Sequence, residues 1–156
     1  MQEEFPFLPE EWEMVRCAGS EIVNVTAMED DLLHTIKLDA LLDILAMLRE
    51  KYDDHPVLLE TEADFTEEAQ RRIELYMRAL DDSIRRGFPT YAIRLSLVDC
   101  LLEQAAESRA GTAESRATTE LALEHLKLCE QEVLAHGDEL DRANWERLRT
   151  LSENAN

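Results

Sequence analysis

Gly87-Phe88-Pro89 interrupts an otherwise continuous helical pattern between Ala69 and Leu102, and this break constrains the fold more than any other stretch. Glycine reaches the left-handed conformation that closes a helix, whereas proline cannot continue one and suits the first turn of the next. The pattern runs through Arg86 and restarts as the apolar segment Tyr91-Ala92-Ile93-Arg94-Leu95-Ser96-Leu97-Val98. A helix-turn-helix hairpin with a buried second arm is expected.

A chain of 156 residues with 45% hydrophobic side chains can bury a core without metal or disulfide, and its 6% aromatics leave good helix formers dominant. The expected fold is all-α, about six or seven helices arranged as antiparallel hairpins in a single domain spanning 9–152. The four glycines are scattered singly, so no glycine-rich loop is available to cradle a phosphate. Cys17, Cys100 and Cys129 lack a Cys-x-x-Cys spacing and read as small, buried or half-buried residues of a reducing cytoplasm. The start, Met1-Gln2-Glu3-Glu4, lacks a signal-peptide pattern, and no apolar run approaches the ~20 residues that span a bilayer.

Helical spacing extends the reading along the chain. Pro9 opens a first helix to about Val25, and Thr26 with Glu29 forms a capping box for a second, the longest, ending near Lys51. In that second helix Asp39 and Asp43 are the only charges between Leu38 and Leu48, so it is expected to be central, with neighbours on several sides. A short helix covers Val57 to Asp64, and Thr66 is expected to cap the next, whose inner face would be Ile73, Tyr76, Met77, Leu80 and Ile84. The near-duplicate segments Ala106–Ala110 and Ala113–Ala117 carry no large apolar side chain, which suggests an exposed loop over about 105–117. Leu121, Ala122, His125, Leu126, Cys129 and Val133 mark the inner side of a helix over Thr118–Ala135 that Gly137 closes. A last helix, capped by Asp138 and anchored by Trp145 and Leu148, reaches about Ser152, with residues 153–156 a disordered tail.

The run Ile73-Glu74-Leu75-Tyr76-Met77-Arg78-Ala79-Leu80, in which an aromatic is followed three residues later by Ala, is similar to the second helix of a tetratricopeptide repeat, and Ala122–Cys129 resembles a second copy. The resemblance covers about residues 56–152. It implies a stack of α-hairpins with a surface that binds other proteins.

Net charge of −19 disfavours nucleic acid and anionic membranes as partners, leaving proteins with a basic or neutral surface. The charge is uneven: residues 1–66 hold 17 acidic against 4 basic side chains, the remainder 18 against 12.

Several groups of residues are candidates for function. Arg94 lies nearly opposite the polar stripe of Ala92, Ser96, Asp99 and Glu103. It therefore either pairs with a carboxylate of a neighbouring helix, Glu62 or Asp64, or lines a groove with Tyr91 to receive a partner's carboxylate. The acidic-aromatic start from Glu3 to Trp12 either docks Phe5, Phe7 and Trp12 on the core or offers them to a partner. Asp30, Asp31 and His34 share one helical turn, and Glu132 and His136 are four apart, spacings that can serve metal or acid-base chemistry. In so acidic a chain they read as solvated faces, and neither a complete ligand set nor a nucleophile motif accompanies them. The expectation is a protein without catalytic activity, cofactor or metal: an adaptor, chaperone or regulatory subunit using a helical-hairpin surface. The alternative is an acidic inhibitor, immunity-type or nucleic-acid-mimicking, whose Asp39 and Asp43 block a basic site.

Overall fold

In the computed structural model, which describes residues 4–155, helices α1 (Pro9–Thr26), α2 (Asp31–Tyr52), α3 (Pro56–Asp64), α4 (Ala69–Arg86), α5 (Tyr91–Glu107), α6 (Ala113–His136) and α7 (Glu139–Asn154) follow one another, with no strand among the described residues. None of them is long and apolar enough to cross a membrane. The helices fall into two compact units, Met1–Phe65 and Thr66–Asn156. The boundary coincides with the change in charge density: all 17 acidic and 4 basic side chains of the acidic half belong to the first unit.

In the first unit α2 packs on α1 and α3. Leu41, Leu45 and Leu48 form its buried stripe, one side chain per turn, and meet Val15, Ala18 and Ile22 of α1 and Leu58 of α3. Lys51 reaches Glu11 at one end of the α1–α2 pair, Lys37 reaches Glu21 at the other, and the two helices are therefore antiparallel. The Glu11 carboxylate accepts from the Leu8 amide, Lys51 Nζ and the Tyr52 hydroxyl, and the bonds from Lys51 and Tyr52 hold its pKa down at about 2.

Local chemistry moves some helix starts from their expected places. Asp30, not Thr26, caps α2 by accepting from the Leu33 amide, while the Thr26 hydroxyl turns back to the Ile22 carbonyl and Glu29 adopts φ 55° in the turn. Glu68, not Thr66, caps α4, taking the amides of Gln70 and Arg71.

In the second unit α5 packs against α4, α6 and α7, and α6 also packs against α7. Gly87 closes α4 at φ 73°, with its amide on Ile84 O and the Phe88 amide on Ser83 O, the paired bonds of a Schellman turn. Pro89 lies before the Thr90 cap rather than in the first turn of α5. The buried residues of α4 include Ile73, Leu75, Tyr76, Ala79, Leu80 and Ser83, whereas Met77 is only half-buried and Ile84 is exposed. The expected 105–117 loop shrinks to Ser108–Thr112, because Ala, Glu and Arg are strong helix formers even without a large apolar side chain. As a result α6, with 24 residues, outgrows the 22-residue α2. Its buried side is as expected except for Leu121, which is exposed and replaced by Thr119.

Gly137 follows α6 with an ordinary φ of −68°, and a Cβ there would lie 2.6 Å from the Val133 carbonyl oxygen. Close approach, not left-handedness, requires this glycine. Asp138 and Asp141 form a reciprocal capping box at α7, and the Trp145 indole donates to the Leu126 carbonyl at 3.0 Å. Helix α7 continues through residues expected to be a disordered tail as far as Asn154, and Asn156 lies outside the described residues, as does Glu3 at the other terminus.

Candidate functional site

Helix α2 is not covered all round, as its apolar composition suggested. Taking about 100° per residue, Leu32, Ile36, Asp39, Ala40, Asp43, Met47 and Glu50 fall on a stripe roughly 100° wide, and all seven are exposed. Leu32 is 73%, Ile36 54% and Met47 48% accessible, so three large apolar side chains stand in solvent on one ridge. Three carboxylates alternate with them. The unit's four cations are engaged elsewhere: Arg16 on Glu13, Lys37 on Glu21, Lys51 on Glu11, and Arg49 on Asp54 and Glu62. Among the described residues of their own unit, Asp39, Asp43 and Glu50 are thus left without a compensating charge. A ridge of this kind can bury apolar anchors while attracting a cationic surface.

The acidic-aromatic start turns back onto the first unit. Phe7 is buried, stacked on Trp12 at 5.3 Å and edge-on to Tyr52 at 4.9 Å and His55 at 5.3 Å. Phe5 makes edge contacts with Phe7 and Trp12 yet remains 48% exposed. Phe7 is thus part of the first unit's core, Trp12 is half-buried against it, and about half of Phe5 remains exposed.

Arg94 is buried, but its guanidinium does not meet a carboxylate. Its Nε donates to Thr90 Oγ1 at 3.2 Å and Nη1 to His125 Nδ1 at 2.8 Å. Thr90 Oγ1 in turn donates to Glu132 Oε1 at 3.1 Å, and Glu132 Oε2 accepts the amides of Thr90 and Tyr91 at 2.7 and 2.9 Å. One carboxylate from α6 thus caps the start of α5 and balances the arginine through a hydroxyl. Glu62, one of the two expected partners, instead takes Arg49. Enclosed in this way, Arg94 braces the α5–α6 interface and is not presented in a groove; Tyr91 is half-buried at the head of the helix. Burial, and secondarily the nearby guanidinium, push the His125 pKa below its ordinary value. With Nδ1 accepting from Arg94, the neutral ring carries its proton on Nε2, which is buried without a hydrogen-bond partner.

Asp99 lies apart from this network, on the polar stripe of α5, where it accepts from Arg147 of α7 at 3.1 Å. The carboxylate-histidine spacings do not build up a larger ligand set. Asp30 is used as a cap, Glu132 is occupied at the α5 terminus, and among the described residues no group of three His, Cys, Asp or Glu side chains is placed to hold a metal. Cys17 is exposed rather than buried, while Cys100 and Cys129 are buried; burial raises the Cys129 thiol to about 11, which keeps it protonated and unreactive.

No protein-family model, curated protein or solved structure matches the chain.

Proposed function

We propose that this chain is a non-enzymatic protein–protein interaction module, an adaptor, chaperone or regulatory subunit, that binds a protein partner through the outer face of its α1–α2 hairpin. The observation that carries the reading is the α2 ridge, where Leu32, Ile36 and Met47 stand exposed among Asp39, Asp43 and Glu50. The complementary partner is a basic, amphipathic surface, because apolar anchors supply affinity while the carboxylates steer the encounter and fix register. The tetratricopeptide-like reading of residues 56–152 agrees with such a role; Tyr76 and Ala79, which carry the resemblance, are buried side chains of α4.

A second reading is an acidic inhibitor that occludes a basic site. The concentration of 17 acidic side chains in the first unit favours it. The two readings differ in what holds the complex. An inhibitor bound by charge is weakened steeply by salt, whereas a module anchored by Leu32, Ile36 and Met47 holds in salt and fails when those side chains are removed. Affinity capture from the native host with the wild-type chain and with an Ile36→Ser/Met47→Ser variant, each washed at low and high salt, separates them. Loss of the partner with the variant at both salt concentrations supports the module. Retention by the variant at low salt and release of both proteins at high salt supports the inhibitor.

A further inference from the structure

The exposed ridge of α2 constrains the shape of whatever lies on it. Leu32, Ile36, Asp39, Asp43, Ala46 and Glu50 follow one another at alternating steps of four and three residues, and all are exposed. That spacing is the seam along which a second helix packs, its side chains entering the holes between those of the first. Met47 flanks the seam, and Ala40 and Ala46 are too small to hold a partner's backbone away. An extended peptide has no comparable fit. Helix α2 closes its own backbone hydrogen bonds and offers no edge to a strand, whereas an incoming helix arrives with its backbone already satisfied.

The order of side chains along the seam selects the chemistry. Leu32 and Ile36 form one apolar end and Met47 the other, with Leu32 and Met47 roughly 22 Å apart at about 1.5 Å of rise per residue. Asp39 and Asp43 stand one turn apart between these ends. The unit's cations are committed elsewhere, so neither carboxylate has an ion-pair partner among the described residues of the unit. A helix that covered them with apolar side chains would strip water from two carboxylates without compensation, opposing what is gained at the ends. Arginine or lysine at those two places pairs them instead and, like a polar group in a coiled-coil seam, fixes the register. A second copy of this chain does not fit, because an α2–α2 contact sets acids against acids.

We propose that the occupant of the ridge is an amphipathic helix of another protein, about five turns long, whose contact face reads apolar, basic, basic, apolar, one residue per turn. The basic pair meets Asp39 and Asp43, and the apolar ends meet Ile36 and Met47. The proposal rests on α2 being the binding face and adds the conformation, length and charge order of what binds there.

The probe is an alanine-based helical peptide of about 24 residues. Its contact face reads leucine, leucine, arginine, arginine, leucine, leucine, an order that is the same in either direction. A comparison peptide of identical composition and net charge carries its arginines at the two ends of that face and its leucines between them. Each is titrated into the full chain and followed by amide NMR shifts. The first is expected to bind about tenfold more tightly than the second, with shifts centred on the outer face of α2. Asp39→Asn/Asp43→Asn, at two exposed positions, should bring the two peptides to equal affinity. Proline at the centre of the first peptide should abolish its binding. Equal affinity of the two orders for the wild-type chain, an unchanged preference in the asparagine variant, undiminished binding of the proline version, or no binding at all would each overturn the occupant. Where the shifts still centre on α2 the binding face itself stands; shifts centred on another surface overturn both.

Discussion

The Arg94 guanidinium and the His125 imidazole meet at 2.8 Å in a buried position across the α5–α6 interface. Such a contact requires a neutral histidine. An imidazolium there would lose the acceptor at Nδ1 and set a second cation against the first, with Glu132 reaching Arg94 only through Thr90.

Acid should therefore loosen the second unit first. The folded pKa of His125 lies below its ordinary value of 6.5, so the unfolded chain binds the extra proton in the interval between the two. The contribution to stability is complete above pH 6.5 and is lost as pH falls through the folded pKa. Trp12 and Trp145 put one indole in each unit, so a Trp12→Phe background makes fluorescence report the second. Denaturant unfolding from pH 8 to pH 5 should show this decline, and His125→Gln should flatten it.

Glu60 on α3 has the opposite sign. Burial, with the Asp64 charge adding to it, raises its pKa from 4.5 to about 7. Below pH 4.5 the carboxyl is neutral in both states. As pH rises through 7 the folded state must ionise a desolvated group, and the stabilisation is lost. Glu60→Gln should stabilise the chain by about 1–2 kcal/mol at pH 8 and have almost no effect at pH 4, measured by urea unfolding at both.

Asp53 ends α2 at φ 57° and ψ −163°, a region that glycine occupies far more readily than other residues. Asp53→Gly should raise stability by about 1 kcal/mol, because relief of strain exceeds the added entropy of the unfolded chain. A fall in thermal midpoint would show that the Asp53 side chain supports the turn.

Gly87 and Gly137 both close helices, for different reasons, and alanine should cost different amounts. At Gly87 a Cβ meets nothing within 4 Å, so only the positive φ of 73° opposes it, a penalty of about 1 kcal/mol. At Gly137 the φ is ordinary but the Cβ would press on the Val133 carbonyl oxygen at 2.6 Å, and backbone must move. Gly137→Ala should be the more damaging, by roughly 1–3 kcal/mol in chemical denaturation.

The helices and the Gly87 hairpin were legible in the sequence because periodicity and turn chemistry agree there. Helix starts were less so. Thr26, Glu29, Asp30 and Asp31 offer several caps within six positions, as do Thr66, Glu67 and Glu68, and the sequence does not separate Asp30 and Glu68, which accept the first amides, from their neighbours. Arg94 was recognisable as a charge on an apolar face. Its partners were not, since Thr90 and His125 carry no formal charge and a search for carboxylates passes over them. Asp39 and Asp43 were noted as acids, but the ridge itself depends on which face of α2 its neighbours leave open. Leu32, Ile36 and Met47 look like core residues until α1 and α3 are seen to cover only the Leu41–Leu45–Leu48 side.

Site-specific photo-crosslinking tests the interaction role most directly. Benzoylphenylalanine replaces Ala40, at the middle of the α2 ridge, or Ala92, also exposed, on the polar stripe of α5. In the native host, irradiation is expected to join the Ala40 variant to a protein with a basic surface and leave the Ala92 variant free. Crosslinks from Ala92 with none from Ala40 would contradict the assignment of the α2 ridge as the binding face.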